Sequence, residues 1–278
     1  MYSHAEHRTI LDHPWRIAAL VAVVANITFT FVNGRIGTPI PTVAEISGRY
    51  STLFTPAGYA FAIWGVIYGA TLLYGVLALL PSQLDVGLHD RVAPWLILTN
   101  ALGSLWISLF TVEQLGPSVL IILAMLASSI VMYAIATDHL VSENLSRWWR
   151  VPFGLWLGWL SIASIANLNM ALSAAGWDGW PLSPAIWTSL LLCLAAWVAL
   201  AMHLLYFDPV VPLVIGWATL AIAVAHFGDS TLVGIVATLI AIKTLMLGAR
   251  VLLFSSLPTL SARARVPRRV VLPQDLSR

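Results

Sequence analysis

The sequence predicts an all-α protein that crosses a membrane about eight times. Of its 278 residues, 59% are hydrophobic and 9% are charged, and the mean hydropathy is +0.88. Roughly a quarter of an average soluble protein is charged. The apolar residues form long continuous runs, which favours spanning helices over the alternating strands of a β-barrel. All 12 acidic residues fall between these runs or at their ends, so we predict a polytopic helical membrane protein.

Eight apolar runs of about 20 residues are each long enough to cross roughly 30 Å of hydrocarbon. The first run is longer than the apolar core of a signal peptide and lacks a convincing cleavage site, so we predict an uncleaved helix. Pro212 favours a new helix after the tight turn at 206–209. The predicted spans are 15–33, 57–80, 93–112, 118–137, 151–173, 185–206, 209–227 and 231–254.

The arginine residues predict the orientation of the spans. In the eight-span arrangement Arg35 and Arg49 fall on one side, and every other arginine falls on the opposite side. The positive-inside rule therefore predicts cytoplasmic termini, in what we expect to be a bacterial plasma membrane. A cluster of arginines in the tail is expected either to contact anionic lipid headgroups or only to fix the topology. The cluster consists of Arg263, Arg265, Arg268 and Arg269.

The longest connection between spans, residues 34–56, is rich in glycine and proline. Long connections without structure of their own are often functional lids. Two hypotheses follow from the sequence: the segment closes over a binding site, or it is a passive external connector.

Aromatic residues form a stripe at the start of the second span. Phe61, Trp64 and Tyr68 are spaced i, i+3 and i+7, so a helix places them on one face. Such a stripe can line a pocket for a flat apolar ligand. Such stripes also serve core packing and interfacial anchoring.

Two faces of the fifth span differ in chemistry. One face carries Trp156, Trp159 and Asn167, which offer aromatic walls and an amide that donates and accepts hydrogen bonds. The opposite face carries Gly154 and Gly158, a GxxxG spacing that lets a neighbouring helix approach closely. Asn167 is predicted either to contact a ligand or to bond another helix.

The third span adds a second aromatic pair. Trp106 and Phe110 are i, i+4 neighbours and therefore share a face. Asn100 lies off that face, so we predict that it makes an interhelical hydrogen bond.

Catalytic and metal-dependent functions lack the residues that they need. The sequence contains no Gly-x-Ser-x-Gly, no His-Glu-x-x-His and no paired carboxylates within a span, so no catalytic or metal site is predicted. The single Cys193 excludes an internal disulfide and a cysteine-rich metal site. Nucleic-acid binding has no support beyond the short arginine-rich tail.

Single residues raise two cofactor hypotheses, retinal and haem. Lys243, the only lysine, could carry retinal, but no span supplies a carboxylate counter-ion, so we predict that it snorkels. His203 and His226 are predicted near opposite membrane surfaces and so cannot share one haem iron. His89 and His139 are placed in loops exposed to water.

Three segments together resemble the tryptophan-rich sensory protein family (TspO/MBR), also known as the translocator protein or peripheral-type benzodiazepine receptor. They are FTPAGYAFAIWGVIY at 54–68, NALGSLW at 100–106 and GWLSIASIANLN at 158–169, in the family's order and spacing. Compact members have five helices, and this chain resembles their longer relatives. The last third is similar more loosely, through Gly216-Trp217-Ala218.

The resemblance implies a five-helix core followed by three further helices, with a pocket that the first loop caps. The implied division is a cytoplasmic segment at 1–14, the core at 15–175, three additional spans at 176–254 and a basic cytoplasmic tail at 255–278. It also implies a homodimer. Tyr59 departs from the pattern, because compact members usually have tryptophan at this position.

The implied function is that of a non-enzymatic sensor or translocator that binds a porphyrin, haem or similar planar ligand and requires no cofactor. A transporter of apolar or amphipathic small molecules is the alternative. Trp64, Tyr68, Trp106, Trp159 and Asn167 match the family's motifs. With the neighbouring aromatics, the candidate ligand-binding residues are Tyr59, Phe61, Trp64, Tyr68, Trp106, Trp156, Trp159 and Asn167.

Overall fold

A computed structural model describes residues 9–33 and 40–254. Within them the chain forms nine α-helices and no strand, which confirms the predicted all-α class. The helices are α1 (Pro14–Asn33), α2 (Val43–Arg49), α3 (Ile63–Leu77), α4 (Gly87–Thr111), α5 (Leu115–Ser142), α6 (Val151–Ala174), α7 (Pro184–Tyr206), α8 (Val210–His226) and α9 (Thr231–Phe254).

Seven segments of the described chain are long and apolar enough to cross a membrane. They are α1, α4, α5, α6, α7, α9, and α3 together with the 3-10 turn Gly58–Ala62 before it. The eighth apolar helix, α8, has 17 residues and reaches about 25 Å. It packs against α6, α7 and α9, and it coincides with the predicted span 209–227. Each predicted span therefore corresponds to one apolar helix.

The connection before α3 contains more regular structure than the sequence predicts. Thr42 and Glu45 form a capping box, in which Thr42 Oγ1 accepts from Glu45 N at 3.2 Å and the Glu45 carboxylate accepts from Thr42 N at 2.6 Å. This box starts α2, so the expectation of a connection without structure was wrong for residues 43–49. Residues 34–39, and the arginine cluster of the tail, lie outside the described residues.

The two ends of α4 define the two ends of the bundle. Near its start, Asp90 bonds Arg16 of α1, and just beyond its end Glu113 bonds Arg49. We refer to these as the Arg16 end and the Glu113 end.

The glycine face of α6 is covered by α8 of the same chain. A Cβ added to Gly158 would lie 2.9 Å from Val214 Cβ, and one added to Gly154 would lie 3.2 Å from Val210 Cβ. The close helix approach predicted from the GxxxG spacing is thus confirmed. Because α8 occupies this face, the glycines give no support to the implied homodimer.

Arg16 is a buried cation that ties α1 to the chain between α3 and α4. Its side chain is 1% exposed, and its Nη2 and Nε atoms donate to the Asp90 carboxylate at 2.6 and 2.9 Å. The same guanidinium donates to four backbone carbonyls of the segment between α3 and α4. These carbonyls belong to Ala78, Gln83, Leu84 and Val86.

Two predictions about polar residues had opposite outcomes. Asn100 Oδ1 accepts from Asn26 Nδ2 of α1 at 3.1 Å, which confirms the interhelical bond. The placement of His89 and His139 in loops was wrong, because both lie within helices. His89 is 2% exposed, with Nδ1 3.0 Å from the Tyr74 hydroxyl. At the start of α4, His89 contacts Tyr74 of α3 and Asp90 contacts Arg16 of α1, so both polar side chains have partners within the bundle.

Candidate ligand pocket beneath helix α2

Aromatic side chains from α3, α4, α6 and the turn before α3 enclose a small cavity next to α2. The Trp64 ring is central, with its centroid 6.2 Å from Trp106 and 6.1 Å from Trp159. The Phe61 ring lies 6.0 Å from Trp159, and Phe110 stacks on Trp106 at 4.8 Å. Edge-on and offset contacts of this kind are favourable between aromatic rings. The aromatic stripe of α3 therefore faces inward.

Tyr68 and Trp156 form a second layer behind Trp64. Tyr68 stacks on Trp64 at 5.5 Å, and Trp156 meets the same ring edge-on at 5.6 Å. Trp156 is fully buried, and its Nε1 donates to Thr71 Oγ1 at 3.0 Å. Neither ring lines the cavity. Their contacts fix the position of Trp64.

Asn167 lines the cavity, but its amide joins helices. Its Oδ1 accepts from Trp106 Nε1 at 2.9 Å, and its Nδ2 donates to Ser118 Oγ of α5 at 3.0 Å. Of the two roles predicted for Asn167, the geometry favours the interhelical bond. That bond holds the Trp106 ring in the cavity wall.

Two polar atoms at the cavity have no hydrogen-bond partner among residues 9–33 and 40–254. They are Trp159 Nε1 and Ser47 Oγ of α2, and both side chains line the cavity. Trp159 is 1% and Ser47 2% exposed. A buried polar group without a partner costs about 1–3 kcal/mol. A bound molecule that carries a hydrogen-bond acceptor would remove this cost at Trp159.

The cavity is nearly closed in this conformation. Its volume is about 20 Å³, close to the space that one water molecule needs. Pockets for drug-sized ligands have volumes of about 300–1,000 Å³. Because Val43 and Ser47 of α2 form part of the lining, a displacement of α2 would enlarge the cavity for a larger ligand.

Contacts with Glu113 hold α2 over the cavity. Arg49 Nη1 and the Tyr50 hydroxyl each donate to the Glu113 carboxylate at 2.6 Å. The Tyr50 hydrogen bond, and after it the Arg49 hydrogen bond, lowers the pKa of Glu113 below its usual value of 4.5. These groups lie at the surface, where ion pairs are weak. Breaking these surface contacts would release α2 without disrupting the core.

Replacing Tyr50 by phenylalanine is expected to loosen α2, because it removes the hydrogen bond from the Tyr50 hydroxyl to the Glu113 carboxylate and keeps the ring. We expect amide hydrogens of α2 to exchange about threefold faster in hydrogen–deuterium exchange. Tyr59→Phe is the matched control. Unchanged exchange in Tyr50→Phe would show that the Arg49–Glu113 bond and the buried Ile46 side chain of α2 hold the helix without Tyr50.

The contacts of the Glu113 carboxylate also depend on pH. They stabilise the closed position of α2 above the usual pKa of Glu113, and they are lost as the pH falls through the lowered pKa of the folded protein.

Helix α8 positions the segment that leads into α3. Ala57 N donates to Ala221 O at 3.1 Å, and Trp217 Nε1 donates to Ala60 O at 3.1 Å. Tyr59 packs edge-on against Trp217, with centroids 5.3 Å apart, and is 44% exposed. Tyr59 therefore lies outside the cavity.

The structure brings five of the eight candidate residues to the cavity wall. These are Phe61, Trp64, Trp106, Trp159 and Asn167. Nine other wall residues were not among the candidates, and Phe110 and Ser47 are two of them. Phe110 carried a usable signal, its i, i+4 spacing from Trp106. Ser47 carried none, because a lone serine in a long connection has no distinguishing pattern.

Lys243, His203 and His226 do not line the cavity. Lys243 is exposed on α9, so it is not enclosed as a retinal-binding lysine would be. His203 is near the end of α7, and His226 contacts Thr55 at the Glu113 end, so the predicted separation of the two histidines is confirmed. Within the described chain, no three His, Cys, Asp or Glu side chains are grouped to hold a metal ion.

Comparison with known protein families assigns this chain to one of them. A family model described as TSPO-like protein matches residues 16–250. The chain belongs to this family. The predicted resemblance to TspO/MBR proteins is thus confirmed, and the family is generally non-enzymatic, with a sensor or translocator role in membranes. No curated protein and no solved structure matched the chain.

The family match extends well beyond the predicted core at 15–175. It includes α7, α8 and nearly all of α9. The division of this TSPO-like protein into a core and three additional helices stays a prediction. The bonds from Ala221 and Trp217 of α8 to the chain before α3 indicate that the cavity depends on both parts.

Proposed function

We propose that this TSPO-like protein is a membrane sensor that binds a planar, largely apolar ligand of the porphyrin or haem type in the aromatic cavity. The observation that carries the proposal is the unpaired Trp159 Nε1 donor within a wall of aromatic rings. A porphyrin presents flat faces to these rings, and its carboxylates are acceptors for Trp159 and Ser47.

The expected contributions to the binding free energy are compatible with micromolar affinity. An aromatic contact contributes about 0.5–1.5 kcal/mol beyond burial, and a new hydrogen bond to Trp159 contributes about 0.5–1.5 kcal/mol. Burial of the ligand's apolar surface adds more. A Kd of about 1 μM corresponds to roughly 8.2 kcal/mol. Part of the gain is used to displace α2, since the closed cavity is too small for the ligand.

The first test replaces Trp159 by phenylalanine, which keeps an aromatic ring and removes the N–H. Titration of the detergent-purified protein with protoporphyrin, followed by porphyrin absorbance, is expected to show about three- to tenfold weaker binding. Trp64→Ala removes the central ring and is expected to weaken binding at least about tenfold. Trp148→Phe is the matched control, because Trp148 is 75% exposed and lies near the Arg16 end.

Saturable binding that both cavity variants weaken and the control leaves unchanged supports the sensor proposal. Binding that is indifferent to Trp64 and Trp159 would mean that these rings serve packing alone. Gradient-driven flux of the porphyrin in liposomes, lost in the same variants, would favour translocation over sensing.

The proposed orientation places the Arg16 end in the cytoplasm of a bacterium. The described arginines support it: Arg49 lies at the Glu113 end, and the others lie at or near the Arg16 end. The aromatic cavity and α2 would then face the external side. Labelling of a cysteine introduced at an exposed residue of each end, with a membrane-impermeant reagent in intact cells, distinguishes the two orientations.

A further inference from the structure

A second, larger cavity lies at the Glu113 end, where α6 ends, α7 begins and α8 ends. Its volume is about 530 Å³, within the range of small-molecule sites. Residues 51–53 line it, and Thr55 lines the aromatic cavity. One short segment therefore separates the two sites. We refer to the larger one as the outer cavity.

Two tryptophans form an aromatic corner in the outer cavity. The rings of Trp177 and Trp187 have centroids 5.6 Å apart and planes inclined by 60°. The Trp187 ring is fixed, because its Nε1 donates to the carbonyl of Gly179. Trp177 is 37% exposed. Inclined rings that are open to solvent can present their electron-rich faces to a cation.

Two carboxylates and the imidazole of His226 line the outer cavity. Asp178 and Asp229 contribute carboxylates, and none of its described lining residues is lysine or arginine. His226 Nδ1 lies 3.2 Å from Asp229 Oδ2, and the Asp229 side chain is 68% exposed. His226 thus engages one oxygen of Asp229. The carboxylates attract a cation and repel an anion.

We propose that the outer cavity binds a small organic cation, such as a quaternary ammonium that carries an aromatic group. The two rings attract the charged head through cation–π interaction, and the carboxylates supply the counter-charge. The cavity is large enough for the aromatic group as well. A metal ion fits less well, since no group of three metal-ligating side chains occurs in the described part of the chain.

The test is a titration of the detergent-purified protein with benzyltrimethylammonium chloride, followed by saturation-transfer NMR of the ligand. Asp229→Asn keeps an oxygen for His226 and removes the charge. Trp177→Leu keeps apolar volume and removes the ring. Each is expected to weaken binding about three- to fivefold, and higher salt is expected to weaken it further.

Two matched variants and one matched ligand complete the design. Trp180→Leu removes a 79% exposed tryptophan of the same loop that does not line the cavity, and Asp138→Asn removes a surface carboxylate of α5. Both are expected to leave the affinity unchanged. Benzenesulfonate, an anion with the same ring, is expected not to bind.

Equal signals from benzenesulfonate or from protein-free micelles would overturn the proposal. So would an Asp229→Asn variant that melts like wild type and binds the cation equally well. If Trp177→Leu fails to fold, the charge variant still decides the outcome. The Trp159→Phe variant is expected to bind the cation normally, so the two cavities are tested independently.

Discussion

Replacing Arg16 by glutamine is expected to lower the free energy of unfolding by about 3 kcal/mol. The change leaves the carbonyls beyond α3 without their charged donor and removes the guanidinium partner of Asp90, which keeps its contact with His13 Nδ1 at 3.1 Å. Buried groups that lose a partner keep their desolvation cost. The Asp90 side chain is 40% exposed, so water can take over part of its charge, which places the effect at the low end for a buried pair. Denaturant or thermal unfolding in detergent measures it.

Arg91→Gln is the control for Arg16. It removes the same charge from the residue next to Asp90, but Arg91 is exposed. Its effect is expected to stay within about 0.5 kcal/mol, as for most surface substitutions. Equal losses in the two variants would show that net charge, and not the bonds of Arg16, determines the stability of this end.

Gly158→Leu is expected to force α6 and α8 apart and to destabilise the protein by about 3 kcal/mol, near the upper end for overpacking. Even a Cβ at this position would lie 2.9 Å from Val214 Cβ, and Val211 Cα would be 3.4 Å away. Because α8 also holds Ala57 and Ala60 before α3, we expect porphyrin affinity to fall together with stability. Unfolding and titration of the same preparation measure both effects.

Gly69→Leu provides the matched glycine change. Gly69 lies in α3, is exposed, and a Cβ there meets no atom within 4 Å. Leucine is the better helix former, so stability is expected to hold or to rise slightly. If Gly158→Leu lowers stability but not porphyrin affinity, α8 stabilises the bundle without shaping the cavity.

Residue spacing predicts some features of the aromatic wall and not others. The i, i+3 spacing of Phe61 and Trp64 and the i, i+3 spacing of Trp156 and Trp159 predicted that each pair shares one helix face. Spacing within one helix cannot tell which ring faces a cavity and which lies behind another ring. Trp156 and Trp159 share a face of α6, yet Trp156 bonds Thr71 while Trp159 keeps an unpaired Nε1 at the cavity.

The position of α2 shows the same limit for the connection before α3. A capping box at Thr42 and Glu45 was present in the sequence, and it starts a helix of seven residues. No local pattern indicated that Glu113, more than 60 residues away, would hold that helix over the cavity. Glu113 lies in the connection between α4 and α5, so its contact with α2 depends on how these two helices pack.

Hydropathy and charge placement by themselves determined that this chain is a bundle of membrane-spanning helices, because apolar runs and the lack of charge within them are local properties. The GxxxG spacing likewise determined that α6 has a close neighbour. The tertiary structure alone decided that this neighbour is α8, that Asn167 bonds Trp106 and Ser118, and that Tyr59 faces Trp217. Partners of this kind are set by packing between distant segments, which one-dimensional spacing does not encode.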